Sequence, residues 1–341
     1  MIDLSNSEHK RRLSAAEMRR VLASCGVDPD RTHSVDELAG GTFNAVYRIR
    51  GHEDRDLVLK VSPHPDTAVL SYERGLMHAE AAFYRAAEAV GEAPVPRVVH
   101  TDFTHAVIDS DLLLMSDLPG QGWHDQHDSI GEDRTRLRGD IGRMVAALHR
   151  LTGTEFGYPH GPGTRLAPSW SAAFTAMFDT ICDDARHFAV ELPIPIPELA
   201  ALVRSRQQLL DEITTPTLIH FDLWDGNILV DRPNGRATVT GLIDGERAFW
   251  GDPVADFVSL ALFGDIEQDD AFLAGYREAG GRIVFDERTR QRLALYRCYL
   301  YLIMLVESAP RRYSPDQLRR LRESVTPLLI TEVQTLRDST A

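Results

Sequence analysis

The run Leu218-Ile219-His220-Phe221-Asp222-Leu223-Trp224-Asp225-Gly226-Asn227-Ile228-Leu229-Val230 sets a His, an Asp and an Asn at fixed offsets on a short loop between apolar stretches. A second carboxylate, Asp244, follows Asn227 by 17 residues and closes another apolar stretch, Leu242-Ile243-Asp244-Gly245-Glu246. On a tight loop, Asp222 can reach an incoming hydroxyl while the Asn227 amide oxygen turns to a metal ion. Asp244 can offer that ion both carboxylate oxygens. Magnesium takes oxygen ligands, usually one or two from protein and the rest from phosphate and water, and Asn227 with Asp244 meets that demand. The chemistry so implied is phosphoryl transfer to a hydroxyl. His220, at the start of the loop, is placed to brace the backbone rather than to move protons. Each of these residues alone is an ordinary turn former. A turn does not explain the carboxylate that ends the next apolar strand.

Two elements must hold that loop: short strands at Ile228–Asp231 and Thr238–Ile243, joined by the turn Arg232-Pro233-Asn234-Gly235. Around them the pattern is helical, with helices expected at 131–151, 170–190, 197–213, 252–264, 268–280, 286–308 and 315–337. Before Leu118 the reading changes. Ser14, with Glu17 three residues on, starts an amphipathic helix over 14–25. Strands follow at 33–50, broken by a Gly-containing turn, and at Asp56–Val61. A helix over Ser71–Val90 comes next, then strands at Val98–Thr101 and Asp111–Met115. Five strands with one helix between the third and fourth make a small α+β lobe. Leu118-Pro119-Gly120-Gln121-Gly122 reads as a hinge, so the expected division is residues 1–118 and 119–341.

The chain has 341 residues, ample for two lobes. Its longest apolar run, Tyr299 to Val306, is too short to span a membrane. The N-terminus shows no secretory pattern, and three scattered cysteines (Cys25, Cys182, Cys298) make neither a disulfide framework nor a metal site. A cytoplasmic protein with free thiols is expected. The net charge of −14 disfavours nucleic acid, which needs a basic face, and suits a cationic small-molecule substrate. Of 37 basic Lys and Arg residues only Lys10 and Lys60 are lysine. Lys10 reads as part of a polar tail. Lys60 lies inside a strand, where a compact ammonium rather than a guanidinium is kept.

The segments His220–Asn227, Ile243-Asp244-Gly245-Glu246 and Gly251-Asp252-Pro253-Val254-Ala255-Asp256 resemble the aminoglycoside phosphotransferase and choline kinase superfamily of small-molecule kinases. Leu148-His149 and Leu114-Met115-Ser116-Asp117-Leu118-Pro119-Gly120 are similar to that family too, so the likeness runs from about residue 37 to 264. It implies an α+β, bilobal, protein-kinase-like fold: a small five-stranded N-lobe, a larger mostly helical C-lobe, and ATP between them. It implies Asp222 as the catalytic aspartate and Asn227 and Asp244 as Mg2+ ligands. Lys60 would contact the α- and β-phosphates, and Glu80 would pair with it from the helix. Met115, Ser116 and Leu118 would offer backbone groups to adenine, with GTP left open as the donor. The glycine-rich turn at Gly40-Gly41 is shorter than the protein-kinase form, which argues against a protein acceptor. Glu73, Glu80 and Glu88 share one helix, and Glu80 is chosen for its Glu-Ala-Ala context. Asp252 and Asp256 are expected to cap a helix and brace the catalytic loop.

The acceptor is written less clearly. Asp225 is a substrate candidate, and Glu246 a further metal or substrate contact with a structural role as the alternative. Asp265, with Glu267, Asp269 and Asp270, is a candidate to meet an amine, with a solvated loop as the alternative. Trp224 and Trp250 are candidates to stack on a sugar or base, with buried packing as the alternative. An antibiotic of aminoglycoside or nucleoside type is the first acceptor expected of this superfamily, and resistance or self-protection would be its use. A metabolic amino alcohol or sugar comes second. Fructosamine-type kinases rank lower, because they carry Gly where Phe221 stands and an Asp-Pro that Asp244-Gly245 lacks. From another class, a nucleotide-binding pseudokinase is opposed by the presence of Lys60, Asp222, Asn227 and Asp244 together. Oligomeric state is not legible.

Overall fold

The computed structural model describes residues 10–39, 43–52, 55–159 and 166–339. The chain forms two compact units: one holds residues up to Val69 and Pro96–Leu118, the other Leu70–Val95 and everything from Pro119. The segment Leu70–Val95, placed before the hinge in the sequence reading, thus groups with the later unit.

The first unit is built on α1 (Ala15–Ser24) and five strands: β1 (Ser34–Glu37), β2 (Ala45–His52), β3 (Arg55–Val61), β4 (Val98–Asp102) and β5 (Leu112–Ser116). They form one antiparallel sheet in the order β1-β2-β3-β5-β4. Helix α1 begins at the expected capping box, Ser14 with Glu17. Strand alternation puts Leu57, Leu59 and Val61 on one face, packed with Met18, Val21 and Leu22 of α1 and Leu112 and Leu114 of β5. Lys60, on the opposite face, lies in register with Val46 and Leu113 and is only 4% exposed. Lys10 is buried too, contrary to its reading as tail, and desolvation lowers its pKa.

The second unit contains α2 (Leu76–Val90), β6 (Gln121–Gly122), α3 (His127–Ile130), α4 (Arg134–Leu148), α5 (Trp170–His187), α6 (Ile196–Arg204) and α7 (Gln207–Leu210). After these come β7 (Thr217–Ile219), β8 (Ile228–Asp231), β9 (Thr238–Leu242), β10 (Phe249–Gly251), α8 (Asp256–Leu260), α9 (Asp270–Glu278), α10 (Glu287–Glu307) and α11 (Pro315–Asp338). Strands β6, β8 and β9 make one small sheet, and β7 pairs with β10. The expected helix 197–213 is broken after Arg204, where Arg206 turns to cap the end of α11 through the Leu336 and Ser339 carbonyls. The expected helix 252–264 is a single 3-10 turn, Pro253–Ala255, followed by the short α8.

Helices α4 and α9 approach until backbone meets backbone. A Cβ on Gly275 would lie 2.0 Å from the Gly139 carbonyl oxygen, and one on Gly142 would lie 2.2 Å from that of Phe272. No flexible side chain can yield there. Gly275→Ala is therefore expected to lower stability by about 1–3 kcal/mol through overpacking, seen as a lower urea midpoint at unchanged m value. An unchanged midpoint would refute the close contact.

Candidate active site

The start of the His220–Asn227 loop is fixed by buried side chains of the second unit. The Phe221 N–H donates to Asp256 Oδ1 at 2.6 Å and the Leu223 N–H to Ser259 Oγ at 3.0 Å. Asp256 is fully buried, and its other oxygen lies 2.9 Å from His149 Nε2, whose Nδ1 meets the Tyr276 hydroxyl. His149 and Asp256, noted in the sequence as a family-like pair and a brace, thus meet. Asp256 braces the loop without capping; Asp252 caps the Pro253–Ala255 turn and also accepts from Arg292 and Tyr296.

His220 has a readable tautomer. Its Nε2 faces the Ile243 carbonyl at 3.0 Å and must donate, while its Nδ1 accepts the Asp222 N–H at 3.2 Å. The ring is neutral in that arrangement, and burial lowers its pKa further in the same direction. It braces, as expected, and ties the Asp222 loop to the end of β9.

Asn227 sits where the loop enters β8. Its Nδ2 donates to the Asp222 carbonyl at 2.8 Å and lies 3.3 Å from Asp222 Oδ2. With the amide nitrogen so used, the amide oxygen is the atom left for a cation. The Asn227 carbonyl accepts the Ile243 N–H at 3.0 Å, and β8 pairs with β9 through Ile228 and Leu242. This antiparallel ladder brings Asp244 up to Asn227. Asp222 side-chain exposure is 23%. Burial raises its pKa to about 6, Arg247 opposes that rise, and Asp244 adds to it. A bound divalent cation would pull it back down. The donor set, one amide oxygen and one carboxylate, is hard and suits magnesium rather than a softer metal.

Two residues of this site hold left-handed backbone: Phe221 (φ 64°) and Asp244 (φ 59°). Asp tolerates that region; for a bulky Phe it is strained by about 1–2 kcal/mol. Packing outweighs the strain, because the Phe221 ring is buried 5.1 Å from Phe249 and 5.7 Å from Tyr299. Phe221→Gly should relieve the backbone yet lose about 3–5 kcal/mol of core packing. A net fall in chemical stability is expected, with the loop geometry kept; a stabilised variant would contradict this.

Asp244 is held by a contact the sequence did not reveal. Its N–H donates to the Tyr84 hydroxyl at 2.9 Å, and that hydroxyl donates to Glu80 Oε1 at 2.7 Å. Glu80 is fully buried. A Cβ on Gly245 would strike the Phe83 ring at 2.3 Å, so only glycine lets α2 lie against this turn. Glu246 follows in the same turn, Gly245–Arg247, and is partly exposed.

The acceptor candidates divide. Asp225 lies 3.9 Å from buried Arg138, which is also held by Asp269, the Leu260 carbonyl and the Phe272 ring. Trp224 packs its ring over Gly226 and lies near the His124 ring. Trp250 lies over Gly153 in β10, paired across to Gly157. Asp265 caps the Ile266–Gln268 turn and sits 3.9 Å from Arg297, and Glu267 is bound by Arg290. Arginines therefore already meet most of that acidic group.

In the first unit, the Ser116 and Asp117 N–H groups donate to Arg97 and Asp56 carbonyls, so those two donors are committed within the sheet. Met115 pairs with Val58, and Leu118 ends the unit. Gly41 lies outside the described residues. Arg247 and Tyr84 were missed; neither has a motif, and each acts across a long sequence separation.

A fold with a five-stranded antiparallel sheet, a helical C-terminal part and this aspartate–asparagine–aspartate loop defines a kinase-like phosphotransferase. The APH phosphotransferase enzyme family matches residues 34–296, and the chain belongs to that family, as a small-molecule kinase. A curated relative from Lactiplantibacillus plantarum, "Probable ketoamine kinase", is 27% identical over 297 residues, 82% of this chain and 90% of its own. The "putative fructosamine-3-kinase" structure from Thermobifida fusca matches with TM-score 0.65 at 19% identity, covering 96% of this chain and 100% of the other. Aminoglycoside phosphotransferase APH(4)-Ia matches with TM-score 0.63 at 18% identity, covering 94% and 99%. A thermostable mutant of the latter forms a ternary complex with ADP and hygromycin B. The fold expected from the sequence is the fold observed. Among the described residues no helix is long and apolar enough to cross a membrane.

Proposed function

We propose that the enzyme transfers the γ-phosphoryl group of ATP to a hydroxyl of an amine-bearing sugar or polyol. The observation that carries this reading is the junction of Asp222, Asn227 and the Ile243–Asp244 strand end in a chain of the phosphotransferase family. Asp222 orients the acceptor hydroxyl. Its oxygen bonds to the γ-phosphorus as the bond to the ADP oxygen breaks, and the proton passes to Asp222 late in a loose transition state. Asn227 and Asp244 would hold Mg2+, which neutralises charge on the phosphates. Lys60 is assigned to the α- and β-phosphates, Glu80 to support of that lysine, and the backbone at Leu118 to the base, since the Ser116 and Asp117 N–H groups are committed within the sheet. Free thiols fit a cytoplasmic enzyme.

The acceptor order changes from that expected of the sequence. A ketoamine, a sugar joined to an amine, becomes the first acceptor to test, supported by the relative that shares 90% of its length with this chain. Aminoglycosides and amino alcohols follow. The Phe221 argument against ketoamine chemistry weakens, because Phe221 already holds the left-handed conformation natural to glycine. The test is magnesium-dependent gain of one phosphoryl group, by mass, on fructosyl-lysine, an aminoglycoside panel and choline, with ATP and GTP in parallel. Modification of none of these would reject the acceptor class.

A further inference from the structure

We infer that Arg247 is a positioning residue for Asp222: anchored by Glu307, its guanidinium sets the direction in which the Asp222 carboxylate meets the acceptor hydroxyl. This rests on the proposed role of Asp222.

Arg247 is 9% exposed. Its Nε lies 3.9 Å from Asp222 Oδ2, and its Nη2 donates to Glu307 Oε2 at 3.1 Å. The same Glu307 oxygen lies 3.1 Å from Arg311, and Arg311 donates to Glu73 Oε1 at 2.7 Å. Glu73 Oε2 accepts the Leu70 N–H at 2.8 Å. Charge alternates along this buried series, and Asp222 is its most exposed member; side-chain exposure falls from 23% at Asp222 to 1% at Glu73. The separation of 3.9 Å is beyond hydrogen-bond reach. Arg247 thus acts on Asp222 through charge and leaves the carboxylate lone pairs to Asn227 and the incoming hydroxyl. A guanidinium bonded directly to Asp222 would occupy those oxygens. Because a buried charge stripped of its partner is costly, Glu307 holds Arg247 in this stand-off position.

The test separates positioning from stability. Magnesium-dependent ATP hydrolysis, with water in the acceptor position, is measured on the full chain for Asp222→Ala, Arg247→Met and Arg247→Met/Glu307→Gln, together with Tm. Arg247→Met should lower Tm, and the double variant should lower it at least as far, since Glu307 keeps Arg311 as a partner in the single variant and the change to Gln weakens that pair. In both, kcat should fall about thirtyfold at nearly unchanged KM for ATP, as a misaimed reacting group predicts. A double variant with wild-type kcat overturns the inference. Should the Met variants not fold, Arg247→Lys keeps a charge for Glu307 but shortens the reach to Asp222; a kcat about tenfold lower supports the inference and a wild-type value overturns it. Wild-type hydrolysis by Asp222→Ala instead removes the reading of Asp222 itself, so the two failures are distinct.

Discussion

Asp222→Ala should lose about three orders of magnitude in turnover while ATP affinity stays within a few-fold. The structure explains why so large a loss can come without collapse of the site. Asn227 is oriented mainly by the Asp222 backbone carbonyl at 2.8 Å, which Ala retains, and only secondarily by Oδ2 at 3.3 Å. The loop amides remain bonded to Asp256 and Ser259. Arg247 keeps Glu307. What goes is the carboxylate that aligns the hydroxyl and receives its proton. Rapid-quench turnover with the acceptor that responds, beside calorimetric ATP binding, measures both quantities. Near-normal turnover in a folded variant would reject the assignment, and lost ATP binding would mean that Asp222 supports the donor instead.

The residues around Asp222 were legible because they lie on one short loop and the strand after it. A local spacing encodes a local geometry, and the strand Ile228–Asp231 was read to the residue. The supports were harder. Tyr84 reaches Asp244 across 160 positions and Glu307 reaches Arg247 across 60; nothing in either neighbourhood marks the partner. Strands β7 and β10, three residues each, lie below the length at which alternation can be recognised. The break after Arg204 follows from a tertiary demand, the capping of α11, that outweighs a continuous helical pattern. The acidic group at 265–270 shows the opposite limit. Its charge was plain, yet the arginines that meet it come from α4 and α10.

Lysine scarcity makes a sharper wager on Lys60. If the ammonium is kept to grip donor phosphates as a compact charge, Lys60→Arg should lower kcat/KM about a hundredfold, since the planar guanidinium cannot place its charge where the ammonium stood. Steric cost complicates that variant. Lys60 is buried on a sheet face between Val46 and Leu113, and a longer side chain there overpacks by about 1–3 kcal/mol. Lys60→Met resolves the ambiguity, because it is apolar, of similar length and suited to a buried strand. With Glu80 assigned to that lysine, the buried carboxylate loses its counter-charge, so Tm should fall while the variant still folds, and activity should be lost to a similar degree. Both variants active would mean that the lone strand lysine is an accident of composition. Lys10 sharpens the comparison: it too is buried, though less than Lys60, with desolvation lowering its pKa, and it lies outside the span matched by the family. Lys10→Met should therefore leave kcat/KM unchanged, and burial alone would be excluded as the reason that activity depends on residue 60.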